Sequence, residues 1–187
     1  MGKVIIFSAP SGSGKTTIVK ELLARYPQLE FSISATSRAP RGAEQNGVDY
    51  YFLSQEEFAQ AVAEERFVEW EEVYKGTCYG TLRSEVERIW AKGHVIVFDV
   101  DVLGGINLKR IFGDEACSIF IMAPSVEELR RRLVARGTDA PEAIERRVAK
   151  AEFELTKAPE FDHVVVNDRL DDAVARASEI LGAFIAR

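Results

Sequence analysis

The fold is decided by residues 4–26, which read VIIFSAPSGSGKTTIVKELLARY. The run Val4-Ile5-Ile6-Phe7 is a short, β-branched apolar stretch of the kind that is buried on both faces of a parallel sheet. From Thr16 to Tyr26 the apolar side chains recur at helical spacing, and Pro27 ends that pattern. A strand, a glycine-rich loop and a helix are therefore predicted in this order.

The loop Ala9-Pro10-Ser11-Gly12-Ser13-Gly14-Lys15-Thr16 has the Walker A spacing G-x-x-x-x-G-K-[ST], with Ala9 in place of the first glycine. Its glycines let successive backbone N–H groups face phosphate oxygens, and the dipole of the following helix favours the same anion. Lys15 can bridge the β- and γ-phosphates, and the Thr16 hydroxyl can ligate Mg²⁺. The alternative is a glycine- and serine-rich turn that binds nothing. The strand before it and the helix after it favour a nucleoside triphosphate site.

The same strand and helix signals recur along the chain. Short buried strands are predicted at residues 95–98, 118–121 and 163–166. Helical patterns alternate with them at residues 82–91, 126–135, 142–156 and 172–185. Strands that alternate with helices predict an α/β fold with a central parallel sheet flanked by helices.

Residues 32–79 interrupt this alternation with polar, turn-forming and aromatic residues. Short strands are predicted at Tyr51–Leu53 and Phe67–Trp70, with a small helix from Gln55 to Ala63 between them. A long excursion between two strands of a sheet is more often functional than featureless. The segment is therefore predicted to be a functional insertion or lid.

Composition excludes several classes of protein. The 187 residues are 47% hydrophobic, which is too high for a disordered chain, and 24 basic against 30 acidic residues give a net charge of -6. Nonspecific nucleic-acid binding and a membrane span are not expected, and the N-terminus does not read as a signal peptide. Cys78 and Cys117 are too few for a disulfide framework. A cytoplasmic single-domain protein is predicted, with Trp70 and Trp90 as core anchors.

A second anion site is suggested by Arg38 and Arg41, which stand among hydroxyl residues beside Pro40. Two arginine forks can grip a monophosphate, although a solvated basic loop has the same composition. Further along, Glu69 offers a carboxylate that can accept two hydrogen bonds from the N1–H and N2–H₂ edge of guanine. Adenine lacks these donors and would leave the carboxylate unpaired. Alternatively, Glu69 is one member of an acidic face.

Two further features point to phosphoryl transfer. The strand at residues 95–99 ends in Asp99, which can hold Mg²⁺ directly or through water, and Asp101 is expected to share its side of that strand. A solvated strand end is the alternative for both. Residues 130–147 contain six arginines, and cationic clamps supply much of the catalysis when charge spreads over a transferring phosphoryl group. The segment that begins at Arg136-Gly137 has the pattern of a hinged lid.

Together these residues resemble the guanylate kinase family over nearly the whole chain. The resemblance rests on residues 8–17, 31–42, 46–50, 67–70, 79–81, 136–138 and 166–168. The family usually has Gln where this chain has Leu103. The resemblance implies a P-loop kinase fold and a Mg²⁺-dependent reaction, ATP + GMP ⇌ ADP + GDP, that forms no covalent enzyme intermediate.

The resemblance also implies roles for individual residues. ATP would be bound by Ala9, Pro10, Ser11, Gly12, Ser13, Gly14, Lys15, Thr16, Thr17, Arg132 and Asn167. The phosphate of GMP would be held by Arg38, Arg41, Tyr50 and Tyr79, and guanine would be recognised by Ser34, Glu69, Thr81 and Asp101. Catalysis is expected from Lys15, Arg38, Arg136 and Arg147, and Mg²⁺ binding from Thr16 and Asp99.

The predicted organisation is one guanylate-kinase-like domain over residues 1–187. Its core comprises residues 1–33, 82–135 and 157–187, its GMP-binding insertion residues 34–81, and its lid residues 136–156. A monomer and a homodimer are both open, and so is the use of dGMP, because no residue can be assigned to the ribose 2′-hydroxyl.

Two other functions share some of these features. A different small phosphoryl kinase would keep the phosphate loop but would not need Glu69 and Thr81. A peptide-binding module derived from the same family would typically have lost the phosphate loop, which is intact here.

Overall fold

The computed structural model describes residues 2–137 and 140–187, and in Val73 and Tyr74 it describes the backbone but not the side chains. Thr138 and Asp139, which belong to the predicted lid, lie outside the described residues. The strands in the described part are β1 Val4–Ser8, β2 Leu29–Phe31, β3 Ala35–Thr36, β4 Tyr51–Phe52, β5 Phe67–Tyr74, β6 Thr77–Leu82, β7 Val95–Asp99, β8 Ala116–Met122 and β9 His163–Val166. The helices are α1 Lys15–Arg25, α2 Gln55–Ala63, α3 Arg83–Ala91, α4 Val102–Phe112, α5 Val126–Ala135, α6 Pro141–Leu155 and α7 Leu170–Ile185.

Five strands form one sheet in the order β2-β7-β1-β8-β9. The strand β1 runs parallel to β8, with Val4 opposite Ala116, and β8 runs parallel to β9. All five residues of β1 are buried, as expected for a strand that is covered on both faces. The predicted α/β fold with a central parallel sheet flanked by helices is confirmed.

The other four strands form a second sheet in the order β4-β3-β6-β5. In this sheet β3 is parallel to β4, while β6 is antiparallel to both β3 and β5. Its small core consists of Ala35, Phe58, Ala61 and Phe67. The strands β2, β3 and β6 and the helix α4 are absent from the sequence prediction.

The chain divides into two compact units. One comprises residues 3–29 and 97–187, and it contains the phosphate loop and the helices α4 to α7. The other comprises residues 30–96 together with the N-terminus, and it contains the four-stranded sheet and the whole predicted insertion. The described residues include no helix that is both long enough and apolar enough to cross a membrane.

Trp70 is not a core residue, contrary to the sequence prediction. Its exposed fraction is 47%, and its partner across the β5–β6 ladder is Gly80, which has no side chain to cover it. The register of β5 shifts between Phe67 and Glu69, so the alternation of inward and outward side chains is interrupted just before the tryptophan.

Candidate functional site

The phosphate loop connects β1 to α1 and leaves the start of that helix open. Gly14 is the N-cap residue, with a φ of 86°, and no side chain in the described part of the chain caps the first turn of the helix. The first N–H groups of a helix have no intrahelical partners, and they carry the positive end of its dipole. The loop therefore presents backbone donors of the kind that bind phosphate.

A cavity of about 360 Å³ lies over this loop. Its lining comprises residues 9–17 together with Asp99, Val100, Asp101, Arg136, Arg147, Lys150 and Glu154. Of the ATP-site residues predicted from the sequence, all of 9–17 contribute to this lining, and so do the predicted catalytic residues Lys15, Arg136 and Arg147. The predicted Mg²⁺ ligands Thr16 and Asp99 line the same cavity.

Lys15 is held at the end of β7. Its ammonium group donates a hydrogen bond to the carbonyl oxygen of Val100 at 2.8 Å and forms an ion pair with Asp99. Asp99 thereby balances the charge of the lysine at the edge of the sheet where the carboxyl ends of parallel strands and their ligands meet.

Two residues outside the phosphate loop, Asn167 and Arg132, stabilise it through hydrogen bonds. Asn167, which follows β9 and is buried, donates from Nδ2 to the carbonyl oxygen of Ser13 at 2.8 Å. Arg132 in turn donates to the carbonyl oxygen of Asn167 at 2.9 Å and to Glu128 at 2.7 Å. Both predicted ATP-site residues therefore belong to the support of the loop, whereas neither lines the cavity.

The helix α6 brings further charges to this cavity. Arg147 donates to the hydroxyl of Ser11 at 2.8 Å, and Lys150 pairs with Glu154 at 3.4 Å. Glu154 is buried, which raises the pKa of its carboxyl group, while nearby Lys150 acts in the opposite direction. The sequence analysis did not identify Lys150 or Glu154. They follow Arg147 by three and seven residues along a helix, a spacing that predicts that all three side chains lie on the same face of that helix.

Asp101 does not lie on a strand. β7 ends at Asp99, and Asp101 is instead the N-cap of α4, whose Gly104 N–H donates to its carboxylate at 2.7 Å. Asp101 still lines the cavity over the phosphate loop. Leu103, in the first turn of α4, is 48% exposed.

In the other unit, three of the predicted acceptor residues, Arg38, Tyr50 and Tyr79, form a cluster. Arg38 donates from Nε to the Tyr79 hydroxyl at 3.1 Å, and its guanidinium lies 5.0 Å from the centroid of the Tyr50 ring. The rings of Tyr50 and Tyr79 meet edge to face at 5.9 Å. A cation with two phenol groups is a suitable binding group for a phosphate.

Glu44 is a member of this cluster that the sequence analysis missed. Its carboxylate accepts two hydrogen bonds from Arg38, at 2.7 and 2.8 Å, and one from the backbone N–H of Arg41 at 2.8 Å. The bond from Arg38 and the bond from the backbone of Arg41 lower the pKa of Glu44 to about 2. The side chain of Arg41 itself is exposed. The only sequence signal was an acidic residue three positions after Arg41.

Glu69 and Thr81 form a second pair, which lies across the β5–β6 ladder. The buried hydroxyl of Thr81 donates to Glu69 Oε1 at 2.7 Å. Tyr79 and Thr81 are two residues apart on β6 and therefore share one face of the sheet. Ser34 lies immediately before β3, whose Ala35 pairs with Gly80 between these two residues.

No group of three or more His, Cys, Asp or Glu side chains within residues 2–137 and 140–187 could enclose a metal ion. Thr16 and Asp99, which line the same cavity, do carry the hydroxyl and carboxylate oxygens that Mg²⁺ prefers as ligands. Two such residues suffice, because this ion normally binds only one or two protein groups and keeps several waters.

Comparison with known proteins agrees with this geometry. A family model described as guanylate kinase matches residues 1–184. The chain is 57% identical to a guanylate kinase of Bacteroides fragilis over 183 residues, which cover 98% of this chain and 90% of that protein. It is 54% identical to a guanylate kinase of Porphyromonas gingivalis, with 100% of both proteins covered. A crystal structure of guanylate kinase from Anaplasma phagocytophilum matches with a TM-score of 0.72 at 32% identity, over 97% of this chain and 85% of that one.

Proposed function

Because the chain belongs to the guanylate kinase family, we propose that it transfers the γ-phosphoryl group of ATP reversibly to GMP, giving ADP and GDP in purine nucleotide metabolism. An ATP-dependent nucleoside monophosphate kinase needs a donor site and an acceptor site. The observation that carries the proposal is that the chain has both a phosphate loop in front of the open N-terminus of α1 and a polar cluster of Arg38, Tyr50 and Tyr79.

The donor is proposed to bind through the loop and its supports. The loop of residues 9–17 would hold the phosphates through its backbone N–H groups, which every residue of the loop except Pro10 carries. Lys15 and Arg147 would act as cations, while Arg132 and Asn167 hold the loop in place. Arg136 lines the same cavity and is proposed as a further cation. Thr16 and Asp99 would hold Mg²⁺, which when bound neutralises charge on the phosphates.

Most of the proposed acceptor residues belong to the other unit, in which Arg38, Arg41, Tyr50 and Tyr79 would hold the GMP phosphate and Ser34, Glu69 and Thr81 would recognise guanine. Asp101 belongs to the unit that contains the phosphate loop, and it remains a proposed guanine-binding residue. Thr81 donates to one carboxylate oxygen of Glu69, which helps to orient that group for the N1–H and N2–H₂ donors of the base. A base without these donors would leave the carboxylate unpaired.

The proposed chemistry is in-line transfer without a covalent enzyme intermediate. The acceptor is already a phosphate anion, so no general base is required. The protein has to bring two anions together, reduce their repulsion and exclude water, and the arginines and Lys15 supply the positive charge. We retain the division into a core, a GMP-binding insertion at 34–81 and a lid at 136–156 as part of this proposal.

The test is ADP release from ATP and Mg²⁺ with GMP, AMP, UMP, CMP and dTMP offered separately. We expect GMP to be preferred strongly, and Glu69→Ala to lose that preference because the guanine edge loses its acceptor. Lys15→Ala should lower the rate by more than about tenfold, since the loss of such a clamp costs several kcal/mol.

Three results would contradict the proposal. Preference for another nucleotide would show that GMP is not the acceptor. Binding of ATP without turnover of any nucleotide would favour a different acceptor or a binding module. A trapped phosphoenzyme would exclude direct transfer.

A further inference from the structure

The helix α3 carries a buried carboxylate for which the proposed reaction has no direct use. Glu85 lies in the first turn of α3, and its exposed fraction is 1%. Burial of an ionised carboxylate costs several kcal/mol unless charged partners and hydrogen bonds compensate it. The partners of Glu85 therefore indicate what the group does.

Glu85 has partners on both oxygens. Arg88 binds it in a bidentate manner, with both bonds at 2.8 Å. Oε1 also accepts the backbone N–H of Ile33 at 3.0 Å, and Oε2 accepts the hydroxyl of Tyr51 at 2.9 Å. Burial alone would raise the pKa of Glu85, but Arg88 and the other two donors outweigh it, and the pKa is lowered.

Two of these bonds reach segments that border the proposed acceptor residues. Ile33 immediately precedes Ser34, and it lies between β2 and β3, outside either strand. Tyr51 immediately follows Tyr50, and its backbone N–H donates to the carbonyl oxygen of Ser34 at 2.9 Å. A closed circuit of hydrogen bonds thus joins Glu85 to both chain segments and joins the segments to each other.

We propose that Glu85 is a positioning residue for the acceptor nucleotide, which holds Ser34 and Tyr50 at a fixed separation through Ile33 and Tyr51. This inference rests on the proposed function, in which Ser34 recognises the base and Tyr50 the phosphate. The side chain of Glu85 has no exposed surface, so it acts through its partners and does not touch the nucleotide.

The directional bonds distinguish this role from stabilisation alone. An apolar residue of similar volume can often replace a buried ion pair without loss of stability. It cannot fix the orientation of a particular backbone N–H and a particular hydroxyl, which a fully satisfied polar network does.

The test is steady-state kinetics of Glu85→Gln, which keeps the shape of the side chain but retains only one acceptor oxygen. At least one of the donors around it loses its partner. We expect the KM for GMP to rise about tenfold or more, as for the loss of a hydrogen bond to a charged group, while the KM for ATP and kcat change less than about threefold.

Two control variants separate positioning from general destabilisation. Val86→Ala removes a neighbouring buried side chain from the same helix and should lower the melting temperature without a change in the KM for GMP. Tyr51→Phe removes only one donor to Glu85 and should raise that KM by a smaller factor. If Glu85→Gln does not fold, the KM of Tyr51→Phe for GMP tests the positioning role instead.

The outcomes for the two proposals differ. If the wild-type protein does not phosphorylate GMP, the proposed function fails and this inference fails with it. If the wild type uses GMP but Glu85→Gln keeps its KM for GMP within twofold, only the positioning role is overturned. The same conclusion follows if Val86→Ala raises that KM as much as Glu85→Gln does.

Discussion

Arg38, which is predicted from the sequence to bind a phosphate, already has several hydrogen-bond partners within the protein. A guanidinium has five N–H donors, and four hydrogen bonds from Arg38 to groups in the described part of the chain involve Tyr79, Ala39 and, twice, Glu44. One donor is left for a phosphate in this arrangement. Glu44 also raises the pKa of Arg38 further above its usual range, so the side chain stays charged.

The first residue-scale prediction concerns Glu44→Ala. Because one carboxylate holds both the Arg38 fork and the backbone of Arg41, its loss should disorder the proposed phosphate grip. We expect the KM for GMP to rise about tenfold, while the KM for ATP stays within about twofold. Steady-state kinetics checks this.

Glu56→Ala is the matched control for Glu44→Ala, since it removes the same group from an exposed position on α2. It should leave both KM values unchanged. A fall in the KM for GMP in Glu44→Ala would mean that Glu44 competes with the phosphate for Arg38, which is the opposite of the role argued above.

At the scale of elements, the start of α1 depends on close packing as well as on backbone conformation. Gly14 has a positive φ, and a Cβ at this position would lie 2.3 Å from Nδ2 of Asn167. Any larger residue would displace the amide that holds Ser13. The phosphate loop and the segment after β9 therefore form one unit of structure.

The element-scale prediction compares Gly14→Ala with Gly93→Ala. Gly93 also has a positive φ, but a Cβ there would meet no atom of the described residues within 4 Å. Gly93→Ala should cost about 1 kcal/mol of stability from backbone strain and leave ATP affinity unchanged. Gly14→Ala carries the same strain plus the clash, so we expect ATP affinity to fall more than about tenfold.

Calorimetric titration with ATP and thermal unfolding of both variants check this comparison. Equal ATP affinity in the two variants would show that the contact with Asn167 does not determine the shape of the loop.

At the scale of the whole molecule, we expect a charge network centred on Glu30 to contribute to acid stability. This residue of β2 accepts from Arg88, Lys92 and His94, with the Lys92 bond at 2.8 Å and the His94 bond at 2.7 Å. Burial acts to raise the pKa of Glu30, but the three partners outweigh it and lower the pKa from 4.5 to about 2. The folded state therefore keeps the carboxylate ionised at a pH where the unfolded chain binds a proton.

The whole-molecule prediction follows from the sign of this shift. The stabilisation by Glu30 is fully present above pH 4.5 and is lost as the pH falls towards about 2. The free energy of unfolding of the wild type should exceed that of Glu30→Gln by about 1–3 kcal/mol at pH 7, a range that allows for solvent screening. Urea titrations between pH 7 and pH 2.5 check whether this difference shrinks.

The exposed Glu87, which lies next to Arg88 on α3, supplies the control for Glu30. Glu87→Gln should leave the free energy of unfolding at pH 7 close to the wild-type value. A wild-type advantage over Glu30→Gln that does not change with pH would attribute the stabilisation to packing and not to charge.

Much of the fold could be predicted because its signals are local. β1, the loop after it and α1 follow from 23 consecutive residues, and the α/β class follows from repeats of the same signals. The strands β2 and β3 have three and two residues, which is too short for a periodic pattern. α4 contains two adjacent glycines, which weaken any helical signal.

At the candidate site, too, local signals could be predicted and long-range contacts could not. The sequence by itself determined the phosphate loop, since its donors are consecutive backbone groups whose geometry is set by glycines and by the next helix. Only the tertiary structure decided that Glu69 pairs with Thr81, 12 positions away, or that Glu85 binds Tyr51 and Ile33, 34 and 52 positions away. It also decided that Trp70 is exposed opposite Gly80. These contacts depend on strand pairing and on a register shift, and a carboxylate becomes a specific partner only when folding brings its donors within hydrogen-bonding distance.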